Sequence, residues 1–146
     1  MKRFYKTAGL MLVCASLIAD VRADDDGAKQ DESTKAPHWI WCQERRLPDT
    51  AGFFRKSFSV EKNVTAATLR AVGESANLAI YWNGNLVAKI DHYDPLLELD
   101  VTERARRGKQ LLAIKSVSCP GPSALFLRLD LKFDDGSRQS IVTDAT

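Results

Sequence analysis

In SALFLRLDLKFD, Leu125, Leu127, Leu129, Leu131 and Phe133 fall on every second position, and Phe126, Arg128, Asp130 and Lys132 fall between them. A period of two is the mark of a β-strand with one face on a core and the other in water. Much of the chain keeps this beat. FFRKSFSV (53–60) sets Phe54, Phe58 and Val60 against Arg55, Ser57 and Ser59. TAATLRAVG turns Ala67, Leu69 and Ala71 inward, and Leu78, Ile80 and Trp82 alternate with Ala79 and Tyr81. LLELDV, QLLAIKSVS (110–118) and RQSIVTD repeat the pattern, and HWIWC (38–42) is aromatic and strand-like.

Turn chemistry separates these runs. Asn83-Gly84 predicts a two-residue hairpin of type I′, which needs positive φ at both central residues. EKN, DHYDP, CPGPS and Asp135-Gly136 mark other bends. VTERARRGKQ reads as one short helical turn capped by Thr102 and closed by Gly108, with its basic residues toward the C-terminal end. About eight or nine strands, each with one apolar face and almost no amphipathic helix between them, predict an all-β fold of two packed antiparallel sheets, a β-sandwich.

The first residues stand apart. MKRFYK is basic, AGLMLVCASLIA is apolar, and VRA supplies small residues ahead of DDDG, so 1–23 reads as a signal peptide cleaved after Ala23. The apolar run is too short for a membrane span. Residues 24–36 lack any large apolar side chain and read as a disordered linker, leaving 37–146 as the folded domain of an exported, periplasmic or extracellular protein. The chain holds 21 Lys+Arg and 19 Asp+Glu; losing Lys2, Arg3, Lys6, Arg22 and Asp20 with the leader leaves 17 and 18, a net charge of −1. Charges mixed along the strands do not suggest a nucleic-acid partner. Two cysteines remain, Cys42 and Cys119, either paired in a disulfide or separate as buried thiols. With only His38 and His92 beside them they do not compose a zinc set. Asn63-Val64-Thr65 fits the N-glycosylation pattern.

Chemistry is sparse. No G-x-S-x-G occurs, and the carboxylates of Asp91, Asp94, Asp134, Asp135 and Asp144 sit in turns with no pairing legible from their spacing. The domain therefore reads as non-catalytic. Sugars offer a C–H face that stacks on rings and hydroxyls that take polar contacts. Candidate rings are Trp39, Trp41, Tyr81, Trp82 and Tyr93, with Asn85, Asp91, His92 and Asp94 as polar partners. Trp82 shares a face with Leu78 and Ile80 and is expected in the core, and at most one of Trp39 and Trp41 is expected outside. The favoured ligand-binding set is Tyr81, Asn85, Asp91, His92, Tyr93 and Asp94. Asp91 and Asp94 are also the candidates for a structural calcium, the one cofactor entertained. Phe126, on a charged face, instead suggests docking against another domain.

FFRKSFSV, then LAIYWNGNLVAKI, then LELDVTERARRGKQLLAIKSVS resembles the galactose-binding-like jelly-roll domain, the type found as the sugar-binding domain of glycoside hydrolase family two and in rhamnosidases. Lys109-Gln110 stands where that family often has an Asn, and DGSRQSIVTDAT resembles a family segment that runs on to a Trp. The resemblance covers 38–146. It implies a carbohydrate-binding accessory module at the front of a larger exported bacterial protein, or a domain docked onto downstream enzyme or haem-binding parts without a free sugar ligand. No C-x-x-C-H for haem attachment occurs in the chain.

Overall fold

The computed structural model describes residues 35–41 and 49–144. Eight strands follow one another: β1 (Ala51–Val60), β2 (Val64–Glu74), β3 (Ala76–Trp82), β4 (Asn85–Ile90), β5 (Leu97–Asp100), β6 (Gly108–Ser118), β7 (Ala124–Phe133) and β8 (Arg138–Val142). They form a front sheet in the order β1-β6-β3-β4 and a back sheet in the order β5-β2-β7-β8, with every pairing antiparallel. The expected all-β sandwich is the observed fold.

The period-two pattern accounts for its core. Leu69, Ile80, Ile90, Leu125, Leu129 and Leu131 are fully buried between the sheets, and Trp82, Leu78, Leu127 and Phe133 join them. Each such aliphatic side chain contributes about 1.5–3 kcal/mol on leaving water. The chain passes between sheets at five of its seven connections. The tightest crossing, from β2 to β3, is the single residue Ser75 at φ 45°. Its carbonyl accepts the Cys119 N–H at 2.8 Å and the Ser123 hydroxyl at 2.8 Å, which ties this corner to the β6–β7 crossing. Gly73 just before it has no room for a side chain, because a Cβ there would lie 2.5 Å from the Ala76 carbonyl oxygen.

Two local expectations change. Residues 38–41 make no strand and contribute one isolated bridge, Ile40 to Leu125. The reason is the length of β7: its last hydrogen bond toward β8 is from Thr143 N to Leu127 O, and residues 38–40 take the stretch beyond. His38 N donates to Thr143 O, and Ile40 exchanges two bonds with Leu125. Thr102, expected as a cap, is instead the first residue of a 3-10 turn, Thr102–Arg104, with no side-chain cap. Its hydroxyl donates to Asp100 Oδ1 at 2.6 Å and accepts the Ala67 N–H at 2.9 Å, so it stitches β5 to β2. The same hydroxyl and the Thr102 N–H hold the Asp100 carboxyl below its usual pKa. Residues 1–34, where the leader is expected, and Cys42, half of the expected disulfide, lie outside the described residues; Cys119 is half-buried after β6.

Candidate functional site

The β3–β4 hairpin is built as expected, with Asn83 at φ 48° and Gly84 at φ 82°. Asn83 does more than turn the chain. Its N–H donates to Leu111 O at 2.9 Å, its Oδ1 accepts the Leu111 N–H at 2.8 Å, and its Nδ2 donates to Gln110 Oε1 at 2.7 Å. Gln110 is only 6% exposed, and the same oxygen accepts the Trp82 indole N–H at 2.8 Å while its Nε2 donates to Arg106 O. Trp82 is thus a core ring, as expected, with Phe58 edge-on at 5.7 Å and its one polar atom satisfied. In the sequence Gln110 stands out only as a departure from the family's Asn, and the side chain of Asn83 does not stand out. The signal available was a glutamine at a position whose alternation points inward.

Of the favoured ligand set, Tyr81 stands half-buried on the outer face of the front sheet, and Asn85, paired with Trp82, is exposed at the hairpin end with its Nδ2 3.4 Å from Asn83 O. Asp91, His92, Tyr93 and Asp94 form a separate turn. Asp94 Oδ2 accepts the Asp91 N–H at 2.8 Å and Asp94 N donates back to Asp91 O, so the turn is self-closed. Asn77, a residue the sequence did not single out, fastens it to β3: its Oδ1 accepts the His92 N–H at 3.0 Å and lies 3.2 Å from His92 Nδ1. The His92 and Tyr93 rings lie 3.9 Å apart, and Tyr93 is 90% exposed. Asp91 and Asp94 offer two carboxylates, one already engaged, where calcium takes six to eight oxygens. No group of three or more His, Cys, Asp or Glu gathers among the described residues.

A second region is more concave. β1 and β8 are edge strands on the same side of the sandwich, and between them lies a cleft of about 560 Å³. Leu112, Ile114, Leu127 and Ile141 form its floor. Trp41 and Phe54, with ring centroids 6.4 Å apart, line one wall and pack on the core. Trp39 stands at the mouth, 55% exposed and edge-on to Phe126 at 5.1 Å, so one tryptophan of the pair is outside and one inside. Polar groups sit at the same mouth. Asp144 takes Lys56 at 2.8 Å and Lys35 at 3.3 Å, and the Thr143 hydroxyl donates to His38 O. Phe126, read as a docking residue, is covered in part by Trp39 of its own chain.

No helix among the described residues is long and apolar enough to cross a membrane. No protein-family profile matches the sequence, and no curated protein does. Solved structures do match. A rhamnosidase from Streptomyces avermitilis, complexed with L-rhamnose, shares 26% identity over 75% of this chain and 12% of its own, with TM-score 0.64. A rhamnosidase from Bacillus sp. GL1 shares 21% identity over 75% of this chain and 13% of its own, with TM-score 0.63. A lectin from Pleurotus ostreatus, solved with GalNAc, shares 23% identity over 75% of this chain and 33% of its own, also with TM-score 0.63. This chain therefore spans about an eighth of each rhamnosidase and a third of the lectin, and it shares the β-sandwich fold of one part of each.

Proposed function

We propose that this chain is a carbohydrate-binding module of an exported protein, without bond-breaking chemistry of its own, and that its sugar sits in the cleft between β1 and β8. The observation that carries the reading is Trp39, a ring more than half exposed at the mouth of a ligand-sized cleft. Its free surface can stack on the C–H face of a pyranose, while Lys56, Thr143 and Asp144 supply donors and acceptors for hydroxyls. A likeness of fold to a lectin and to parts of two rhamnosidases supports the same chemistry. The self-closed turn of Asp91–Asp94 is the second reading, favoured by the exposure of Tyr93. Titration of the protein against a panel of neutral glycans, followed by calorimetry, decides between them. Saturable binding weakened about tenfold or more in Trp39→Ala supports the cleft, since ring stacking is worth roughly 0.5–1.5 kcal/mol beyond area burial. Loss in Tyr93→Ala with Trp39→Ala unaffected moves the site to the turn. Silence across the panel sinks both and leaves a structural domain packed against other parts of a larger exported enzyme or haem-binding protein.

A further inference from the structure

The register of the front sheet sorts its outward side chains into rows. One row runs across the strands as Phe53, Lys115, Ala79 and Lys89. The next runs Arg55, Ala113, Tyr81 and Leu86. Phe53 is 66% and Leu86 46% exposed, while Ala79, Ala113 and Tyr81 between them are half-buried, so the middle of the face is low and flat. None of the four front strands contains an Asp or Glu, and Arg55, Lys89 and Lys115 form no ion pair among the described residues.

We infer that this outer face binds an anionic polysaccharide, a chain of uronate sugars lying flat across the strands. The inference rests on the carbohydrate reading above; the face adjoins the cleft at Phe53 and Arg55, while Lys89 and Lys115 lie away from it. A flat apolar strip that carries the exposed Phe53 ring and the half-buried Tyr81 ring suits the C–H faces of successive sugars, and cations set into it suit carboxylates. Lys115 and Lys89 lie two strands apart, about 10 Å, a spacing that addresses separate sugars rather than one. A second copy of the chain does not fit. A two-fold pairing through this face would bring the cations of both copies together with no Asp or Glu from the four strands to answer them. A lipid bilayer fits less well, because alanines at the centre of a flat sheet do not reach into acyl chains.

The test is binding of the whole protein to polygalacturonate, measured by calorimetry at low and high salt. Expected is binding that salt weakens, that the double substitution Lys89→Glu/Lys115→Glu reduces about tenfold or more, and that Lys132→Glu on the back sheet leaves within about twofold. An unchanged denaturation midpoint in the double variant shows that its loss is not unfolding. No binding would overturn the inference. So would equal binding to fully methyl-esterified, neutral polygalacturonate, to duplex DNA or to phosphatidylglycerol vesicles, and so would retention in the double variant or equal loss in Lys132→Glu. The neutral-glycan titration reports on the cleft separately, so failure there with retained polygalacturonate binding removes the cleft reading and leaves this one standing.

Discussion

The two outer faces of the sandwich treat charge in opposite ways. On the back sheet, Asp130 is a hub. Arg128 Nε reaches both of its oxygens at 2.8 Å, Arg70 Nη1 reaches one at 3.0 Å, and the Ser140 hydroxyl donates to it. Arg70 also holds Glu98 at 2.9 Å, so β2, β5, β7 and β8 are joined by one network of both signs. The front sheet displays Arg55, Lys89 and Lys115 among alanines and rings, and its four strands hold no Asp or Glu. The back face thus joins most of its charges to one another, although Lys132 and Arg138 form no ion pair among the described residues. A face that carries one sign only is finished by something else, and this contrast locates interaction on the front sheet rather than the back.

The contrast can be broken by substitution. Asp130→Ala is expected to cost the most, about 1.5–3 kcal/mol in urea denaturation, because it removes charge-assisted bonds and leaves two guanidinium groups, each about one-third exposed or less, facing one another. A cost below about 0.5 kcal/mol would show the network to be ornamental. Acid titration gives a smaller effect. Burial pushes the Asp130 pKa up, but hydrogen bonds from Arg128 and Ser140 and the charges of Arg128 and Arg70 bring it below the ordinary carboxylate value. A depressed folded pKa means stability that is fully present above the unfolded value of about 3.9 and is lost as pH falls through the folded one. Asp135, held well below its ordinary range chiefly by Lys62 and Ser137, acts with the same sign. Stability should therefore decline below about pH 4, and the decline should be shallower in Asp130→Asn; parallel curves for the two proteins would remove Asp130 from the account. The smallest effect belongs to the front face. Lys115→Ala should shift stability by no more than about 0.5 kcal/mol, since Lys115 makes no ion pair among the described residues and lies diagonal to another cation, Arg55. A loss of about 1 kcal/mol or more would mean that this face, too, is internally satisfied.

Much of the scaffold was legible in the sequence because it is local. The alternation of Leu125 to Phe133 fixed which side of β7 is buried, and Asn83-Gly84 fixed the hairpin and its positive φ values. What failed was set by the lengths of other strands. Residues 38–41 look like a strand, yet they only fill the end of β7 that β8 does not reach. Thr102 looks like a cap, yet the Ala67 N–H, thirty-five residues away, claims its hydroxyl. The sorting of charge by face was present in the composition of the strands but invisible along the chain, because β1, β6, β3 and β4 become neighbours only through crossings between the sheets. The cleft was hidden for the same reason: it lies between an edge strand near residue 55 and another near residue 141. Trp39 could be named as a candidate from sequence, but its companions Lys56 and Thr143 could not.

An asparagine followed by glycine is ordinarily the weakest link in a polypeptide's chemical lifetime, because the glycine nitrogen can attack the side-chain amide and close a succinimide ring. At the tip of β3 and β4 both atoms of that amide are occupied, one by Gln110 and one by Leu111. Ring closure here must wait until the hairpin detaches from β6, so the slow ageing of this bond is coupled to local opening of the sheet and not to the mere exposure of the turn.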